Sequence, residues 1–376
     1  MKAKRIVKWS AGVILLLLVV SFQFAYWTST NDCETYVAAP ASPTKAIRYC
    51  EYGSPDVVKL ASIEKPVPAD HQVLIKVRAA SLNALDVYAI RDSWIGRVGF
   101  GLRKPKDTRL GRDVAGEVEA VGANVTQFKP GDKVFGTCRG AFAEYACASE
   151  RALVLKPPGV SFEDAAAVPL AGQTALQGLR KGNIRPGQKV LINGATGGVG
   201  TFAVQIAKSL GAEVTAVCST RNVDLVRSIG ADHVIDYSKE DFTKGDHRYD
   251  VIFDNVGNHS FAARRRVLTP KGICVLAGMG GAGVKGSEAA GRIVSLFGAR
   301  ALSSFTDQKF AQYTTTLSKE DLALLGGLIQ TGKLRPVIER TYNLEDAPEA
   351  LRHLERGHAR GKLVVTMQSP PAVTLR

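Results

Sequence analysis

The middle of the chain alternates short apolar runs with segments of helical periodicity. The apolar runs cover residues 190–192, 213–217, 233–236, 250–254 and 272–277. Strands that alternate with helices predict a doubly wound parallel sheet, which is an α/β fold. The region before it differs, because glycine turns separate short alternating strands such as 73–79. We therefore expect a β-rich first part and a boundary between the two parts near residues 162–169.

A glycine-rich turn follows the first apolar run. Gly194, Gly197, Gly198 and Gly200 lie between the predicted strand 190–192 and a helix with one apolar side. Glycines let a backbone approach a pyrophosphate, and the first N–H groups of a helix attract an anion. The spacing differs from the strict G-x-G-x-x-G pattern, but the order of strand, turn and helix predicts a dinucleotide-binding site.

The end of the second predicted strand distinguishes the two nicotinamide cofactors. An NAD site usually has an acidic residue about 20 residues beyond the glycines, where it binds a ribose hydroxyl. This chain has Ser219, Thr220 and Arg221 there instead. Since a guanidinium suits a phosphate, the sequence favours NADP(H) over NAD(H). The alternative is that Arg221 is a solvated residue at the start of the next helix.

The chain is strongly basic, with 49 Lys and Arg against 35 Asp and Glu and a net charge of +14 over 376 residues. No basic region is interleaved with aromatic residues, so we expect no nucleic-acid partner. An anionic membrane surface suits the charge better. The longest arginine run, 264–266, is expected to be a solvated helix face. Six cysteines without a C-x-x-C pair predict neither a disulfide framework nor a structural zinc site.

Residues 1–31 form a separate element of the sequence. Residues 9–31 carry no charge, follow four basic residues and are long enough to cross a bilayer. We expect a single N-terminal transmembrane helix over 1–31, a linker over 32–44 and a membrane localisation. Basic residues before the span predict an outside body, which conflicts with the supply of NADPH, so the side of the membrane stays open. A cleaved signal peptide and an organelle presequence are the alternatives.

Several motifs together resemble the medium-chain dehydrogenase/reductase superfamily, and within it the zinc-independent quinone oxidoreductase branch. These motifs are residues 81–86, 111–122, 129–132, 167–175, 195–200, 230–237 and 361–365. The resemblance implies a GroES-like β-barrel catalytic domain that is followed by a Rossmann NADP-binding domain. The implied ranges are 45–165 for the catalytic domain, 166–300 for the nucleotide domain, 301–367 for the return to the catalytic domain and 368–376 for a tail. A homodimer is also implied.

The resemblance implies a set of cofactor-binding residues, in the order of the chain. The glycine loop would contact the pyrophosphate, the ends of the second and third strands would hold the 2′-phosphate, and later residues would lie along the cofactor. The set is Thr196, Gly197, Gly198, Val199, Ser219, Arg221, Tyr237, Asn255, Leu276, Phe305, His358, Ala359, Arg360 and Lys362. The alternatives are a polar loop for His358 and Arg360, and an edge charge for Lys362.

The departures from the superfamily pattern concern the metal. Zinc-dependent members have Gly-His-Glu where this chain has Gly111, Arg112 and Asp113, and no cysteine lies near Asn83 and Asp86. We therefore expect no catalytic zinc. Without that Lewis acid, the remaining chemistry is hydride transfer to an electrophilic acceptor.

The resulting expectation is a zinc-free, NADPH-dependent reductase of quinones or α,β-unsaturated carbonyls. Asn83 and Asp86 would line its pocket, and the alternative is that they cap a turn. No residue stands out as a catalytic acid, so a water or a cofactor ribose hydroxyl would protonate the product. Two other functions stay open, namely an enoyl-thioester reductase and a non-catalytic NADPH-binding membrane scaffold.

Overall fold

The computed structural model describes residues 40–93, 99–277 and 307–367, together with positions 23, 26, 31, 33 and 97. Phe305, most of residues 1–39 and the tail 368–376 lie outside the described residues.

The first part of the described chain is antiparallel. Its elements are β1 (Pro43–Tyr49), β2 (Val58–Glu64), β3 (Gln72–Ser81), α1 (Ala84–Ile90), β4 (Asp113–Val121), β5 (Lys133–Thr137), β6 (Tyr145–Ser149) and β7 (Leu153–Leu155). β1 and β2 pair with each other in a separate two-stranded sheet. β3 is the long central strand, and it pairs with both β4 and β6. Most residues of β3 are buried, including residues on both faces of the strand.

The parallel sheet predicted from the middle of the chain is confirmed. The elements of this part are α2 (Phe162–Ala167), α3 (Pro169–Lys181), β8 (Lys189–Asn193), α4 (Gly198–Ser209), β9 (Glu213–Cys218), α5 (Val223–Ser228), β10 (His233–Asp236), β11 (Tyr249–Asp254), α6 (Phe261–Arg266), β12 (Leu268–Leu276) and β13 (Lys309–Gln312). The strand order is β10–β9–β8–β11–β12–β13, and neighbouring strands are parallel. The carboxyl ends of β8, β9 and β11 therefore lie at one edge, where ligands of such sheets bind.

The last part of the described chain returns to the first sheet. Its elements are α7 (Lys319–Gln330), β14 (Ile338–Asn343), α8 (Ala347–Glu355) and β15 (Lys362–Thr366). The resulting seven-stranded sheet has the order β14–β15–β3–β4–β5–β7, with β6 on β3. The strand β13 belongs to the parallel sheet and lies beyond residue 300. The domain ranges themselves stay a prediction.

The two sheets share a hydrophobic core. One cluster of buried side chains joins Phe135 of β5 and Val364 of β15 to Ile192 of β8, Phe202 of α4 and Leu325 of α7. A separate cluster fills the interior of the seven-stranded sheet. The shared core fixes the edge of the parallel sheet against the returning segment, and the candidate site lies at that junction.

The structure contradicts the prediction of a transmembrane anchor over 1–31 and of a single-pass membrane localisation. Within the described ranges no helix is long and apolar enough to cross a membrane. The longest described helix, α3, has 13 residues, which is about 20 Å, whereas the bilayer core is about 30 Å thick. Nearly all of 1–31 lies outside the described residues.

The sequence predicts no disulfide framework, and the structure shows one disulfide bond that the sequence did not indicate. Cys33 and Cys50 form a disulfide bond, with their Cα atoms 5.9 Å apart. The side chain of Asn31 donates to the carbonyl oxygen of Cys50 at 2.9 Å. The bond ties position 33 to the residue directly after β1, and a spacing of 17 residues without a motif gave no signal of it.

Candidate active site

A buried lysine connects the returning strand β15 to the start of α1. Nζ of Lys362, a residue that is 3% exposed, donates to the carbonyl oxygen of Leu82 and to Oδ1 of Asn83, both at 2.7 Å. It also lies 3.4 Å from Oδ2 of Asp113. A buried charge is tolerated where it is paired and hydrogen-bonded. Burial lowers the pKa of Lys362, and the carboxylates of Asp113 and Asp86 oppose that shift.

Asp113 is the centre of this cluster. Its Oδ2 accepts hydrogen bonds from the hydroxyl of Ser81 and from Nδ2 of Asn83, each at 3.0 Å. Its Oδ1 accepts from the N–H of Leu170 at 3.0 Å. The carboxylate therefore joins β3, β4 and the start of α3, and its negative charge holds the ammonium of Lys362 inside the protein.

Asp86 stabilises the local backbone beside this cluster. Its Oδ2 accepts from the N–H of Asn83 at 2.8 Å, and its Oδ1 accepts from the N–H of Gly111 at 3.1 Å. Asn83 is the N-cap of α1, so the carboxylate satisfies an N–H group at a helix start. Burial raises the pKa of Asp86 to about 6. The hydrogen bonds match the alternative that the two residues cap a turn, and pocket lining stays a prediction.

The glycine turn meets the returning segment directly. Gly197 forms a parallel bridge with Gly361, and the N–H of Gly361 donates to the carbonyl oxygen of Thr196 at 2.7 Å. Gly194 has a φ of +80°, which favours glycine. A Cβ on Gly198 would lie 2.9 Å from Cδ of Lys362. The turn and the buried cluster are therefore adjacent.

The N-terminus of α4 is suited to an anion. Gly197 is its N-cap, and no side chain caps the helix within the described part of the chain. The first N–H groups of a helix have no partner inside it. A Cβ on Gly197 would meet only the carbonyl oxygen of Gly194, at 3.8 Å. This 12-residue helix thus begins beside open space, which is the arrangement that binds a pyrophosphate.

The ends of β9 and of the returning loop are joined by a hydrogen bond. Nη2 of Arg221 donates to the carbonyl oxygen of His358 at 2.9 Å, and both residues are exposed. Nδ2 of Asn222 donates to Oγ of Ser219 at 3.1 Å. Because the oxygen of Ser219 is the acceptor in that bond, its hydroxyl proton is available to a ligand.

The neighbouring strand β10 ends in a carboxylate that is already occupied. Thr220 and Ser238 both donate from their hydroxyl groups to Asp236. The bond from Thr220, followed by that from Ser238, lowers the pKa of Asp236 to about 2. Thr220 is therefore engaged with a carboxylate, whereas Ser219 and Arg221 have no carboxylate acceptor among the described residues.

Two buried polar atoms beside the glycine turn have no hydrogen-bond partner among the described residues. They are Oδ1 of Asn222 and Nε of Arg360. Asn222 is 4% exposed, and its Nδ2 lies 3.4 Å from Oγ1 of Thr196. Buried polar groups are normally satisfied. A ligand with hydroxyl and phosphate groups would supply both missing partners, so the residues fit a dinucleotide.

The carboxyl end of β11 is organised by a buried ion pair. Oδ1 of Asp254 accepts from Nδ2 of Asn193 at 2.9 Å and from the N–H groups of Val256 and Gly257 at 3.1 and 2.8 Å. Its Oδ2 lies 3.0 Å from Nε of Arg264, and both side chains are buried. The expectation of a solvated arginine face over 264–266 is therefore wrong for Arg264.

The other predicted cofactor residues have diverse surroundings. Asn255 is half-buried in the turn that Asp254 stabilises, and Leu276 is buried at the end of β12. Tyr237 follows β10 and is 59% exposed. Val199 lies in the first turn of α4 and Ala359 in the returning loop, both half-buried. Phe305 lies outside the described residues, and the binding role of every residue in the set stays a prediction.

Sequence reasoning missed several residues of this junction. Asp113 stands out in the sequence only as a departure from a zinc motif, and the sequence predicts no role for Asn222 or Asp254. The signal for Asp254 was its position at the carboxyl end of a parallel strand, where polar residues often serve a ligand or its loop. The sequence contains no comparable signal for Asn222, because a role at this site follows only from its contacts with Thr196 and Ser219 in the folded chain.

The donor set at the cluster does not fit a zinc ion. In the ranges that the structure describes, no group of three His, Cys, Asp or Glu side chains is placed to hold a metal ion. Zinc sites in proteins use three or four such ligands. Asp86 and Asp113 already accept hydrogen bonds from N–H groups, and the ammonium of Lys362 lies beside Asp113.

Two protein-family models match the chain. Residues 69–158 match the alcohol dehydrogenase GroES-like domain, and residues 229–365 match a family described as zinc-binding dehydrogenase. The first match covers β3 to β7, and the second covers the later strands of the parallel sheet together with β14 and most of β15. The GroES-like and Rossmann parts of the predicted fold are thereby confirmed.

Relatives match nearly the whole chain. The 2-methylene-furan-3-one reductase of Solanum lycopersicum is 34% identical over 353 residues, which is 89% of this chain and 81% of the relative. The chloroplastic NADPH-dependent alkenal/one oxidoreductase of Arabidopsis thaliana is 34% identical, covering 88% and 82%. The solved quinone oxidoreductase of Coxiella burnetii is 33% identical with a TM-score of 0.77, covering 87% and 100%. The chain therefore belongs to the medium-chain dehydrogenase/reductase superfamily and is an oxidoreductase that uses a nicotinamide cofactor.

Proposed function

We propose that this protein transfers a hydride from NADPH to a quinone or to an α,β-unsaturated carbonyl compound. The names of the two reductases and of the quinone oxidoreductase similar to this chain support the acceptor class. The observation that carries the cofactor choice is the end of β9. It presents the hydroxyl of Ser219 and the guanidinium of Arg221, with no carboxylate at that strand end.

The 2′-phosphate of NADPH suits this strand end better than a bare ribose does. Arg221 is held by the carbonyl oxygen of His358, which leaves its other N–H groups for a phosphate. Ser219 has a hydroxyl proton to donate, and Tyr237 is exposed on the neighbouring strand end. The nearby carboxylate of Asp236 already accepts hydrogen bonds from Thr220 and Ser238 and is not placed to bind a ribose hydroxyl.

The pyrophosphate would lie at the start of α4. Gly198 and Val199 offer N–H groups there, and Arg360 brings an unsatisfied Nε from the returning loop. Bound NADPH supplies the hydride, and the protein contributes position and the exclusion of water. Lys362 and Asp113 hold the returning strand against Asn83, which is a predicted residue of the acceptor pocket.

The first experiment measures NADPH oxidation by the full chain with a quinone, an enone and an enoyl thioester, with NADH in parallel. We expect turnover of the quinone or the enone and a preference for NADPH. Preferred turnover of the thioester would reassign the acceptor class. Tight NADPH binding without oxidation by any acceptor would contradict the proposed activity.

The cofactor preference has its own test in Arg221→Ala. Loss of a hydrogen-bonded charge pair costs about 1.5–3 kcal/mol, so the Kd for NADPH is expected to rise about 10–100-fold while the Kd for NADH changes little. Fluorescence titration with both cofactors measures this. Arg227→Ala, an exposed arginine on α5, is the matched control. An equal loss for both cofactors would exclude a 2′-phosphate role for Arg221.

A further inference from the structure

A groove lies between α7 and the edge of the seven-stranded sheet, away from the junction described above. Its volume is about 750 Å³, within the range of small-molecule sites. β5, β7, the loops 127–132 and 156–158 and one face of α7 line it. None of its lining residues belongs to the Lys362 cluster or to the glycine turn.

The floor of the groove is apolar. Phe128, Phe135 and Val154 are buried beneath it, and Leu155 is 59% exposed along it. An exposed leucine beside buried aromatic rings leaves apolar surface in contact with water, and covering that surface is favourable.

The wall formed by α7 lacks large side chains. Gly326 packs closely, since a Cβ there would lie 3.2 Å from the ring of Phe135 and 3.3 Å from Cγ of Pro157. Gly327 differs, because a Cβ there would meet no atom within 4 Å. Ala323 completes this face. The groove therefore stays open beside Gly327, where an ordinary helix residue would fill it.

The rim of the groove is positively charged. Lys133, Lys156 and Lys319 surround it, and Asp132 is the acidic residue among its lining. Asp132 accepts from the N–H of Lys129 at 3.0 Å. Within the described part of the chain, none of the three ammonium groups has a carboxylate partner within 4 Å.

The three lysines are not equivalent. Nζ of Lys156 donates to the carbonyl oxygens of Pro157 and Val160, and Nζ of Lys319 donates to Gln127. Lys133 has no side-chain hydrogen bond or ion pair among the described residues. Burial, followed by the charge of Lys133, lowers the pKa of Lys156, as expected where like charges lack a counter-ion.

We propose that this groove binds an amphiphilic carboxylate, an alkyl chain that ends in one carboxylate. The chain would cover the floor from Phe128 to Leu155, and the carboxylate would pair with Lys133 and neutralise the rim. A phosphorylated sugar would leave the apolar floor exposed to water, and a neutral lipid would leave the ammonium group of Lys133 without a partner. The site is independent of the proposed reductase activity.

The test uses decanoate below its micelle concentration, titrated into the full chain by calorimetry. Acetate and decanol are the comparison ligands, since one lacks the chain and the other lacks the charge. We expect one saturable decanoate site, no acetate binding, and decanol at least tenfold weaker. Absence of saturable decanoate binding, or equal binding of decanol, would overturn the proposal.

Substitution of Gly327 locates the site. Gly327→Leu places a side chain in the open part of the groove and is expected to weaken decanoate at least tenfold, while Gly327→Ala is the smaller matched variant. Lys133→Gln is expected to weaken decanoate about tenfold and leave decanol unchanged. NADPH oxidation is expected to be unchanged in all three variants, which separates this site from the reductase activity.

One combination of results would reassign the ligand. If decanoate bound Gly327→Leu as tightly as the unaltered chain and NADPH displaced it, the carboxylate would lie in the cofactor cleft and the groove proposal would be wrong. A thermal melting curve for each variant confirms folding, and Gly327→Ala is expected to melt no lower than the unaltered chain because alanine is favourable in a helix.

Discussion

Two buried ion pairs in this protein differ in the sequence separation of their partners and in the hydrogen bonds around them. Lys362 and Asp113 are 249 positions apart, and their charges lie 3.4 Å apart with further oxygens and N–H groups around both. Asp254 and Arg264 are ten positions apart and lie on either side of one turn. There the facing atoms, Oδ2 of Asp254 and Nε of Arg264, are 3.0 Å apart but make no aligned hydrogen bond.

The two ion pairs therefore have different structural roles. The pair of Lys362 and Asp113 joins β15 to β3 and β4 inside the seven-stranded sheet, and Asp113 also binds the start of α3. The pair of Asp254 and Arg264 shapes one turn, since the other oxygen of Asp254 accepts the N–H groups of Val256 and Gly257. Breaking the first is expected to affect the whole fold, and breaking the second is expected to affect the cofactor side.

The largest effect is expected for Lys362→Met. It leaves the carboxylate of Asp113 buried without its counter-charge, which costs about 3–5 kcal/mol of unfolding free energy. Urea unfolding measures the loss. In the double variant Lys362→Met, Asp113→Asn the buried charge is gone, so part of the loss is expected to return.

The control for this prediction is Lys189→Met, which removes an exposed lysine from β8. It is expected to change the unfolding free energy by less than about 0.5 kcal/mol. An equally small effect of Lys362→Met would show that the pair does not stabilise the junction of β15, β4 and α3.

A smaller and more local effect is expected for Arg264→Met. The carboxylate of Asp254 keeps three donors on Oδ1, so the loss of unfolding free energy is expected near the lower end of the range for a broken buried pair, about 3 kcal/mol. Because the turn of Asn255 borders the predicted cofactor site, KM for NADPH is expected to rise more than kcat falls. Steady-state kinetics with varied NADPH measures both.

The neighbour Arg266 is exposed on the same short helix, so Arg266→Met is the matched control. It is expected to leave both KM and stability unchanged. A fall in kcat with unchanged KM in Arg264→Met would contradict a positioning role for the ion pair at the cofactor.

The smallest effect is a pH dependence from Asp86. Burial raises its pKa to about 6 in the folded protein, above the value of about 4 in an unfolded chain. The folded state therefore binds the proton more tightly, and this stabilisation is present at low pH and is lost as the pH rises through 6. The expected loss is about 2 kcal/mol between pH 4.5 and 6.5.

Comparison with Asp86→Asn isolates the pH-dependent contribution of Asp86 to the free energy of unfolding. The difference in unfolding free energy between the unaltered chain and the variant is expected to fall over that pH range, as measured by urea unfolding at several pH values. A constant difference would mean that Asp86 titrates alike in the folded and unfolded states.

Much of the fold was predictable because its signals are local. The apolar runs from 190 to 277 and the glycines between them identified the strands of the parallel sheet and the turn before α4. Arg264 shows the limit of such reasoning, since an arginine in a basic run gives no local sign that Asp254 will be buried beside it. The anchor predicted over 1–31 relied on hydropathy alone, and no helix in the described ranges is long and apolar enough to support it.

The sequence by itself determined the α/β class, the glycine turn at the start of α4 and the hydroxyl and guanidinium groups at the end of β9. These follow from periodicity and from residue type at one point of the chain. Only the tertiary structure decided that Lys362 meets Asn83 and Asp113, that Asn222 faces Thr196, and that Cys33 pairs with Cys50. The physical reason is that each of these contacts joins segments that only the packing of the sheets and their connections brings together, and side-chain type alone carries no information about such partners.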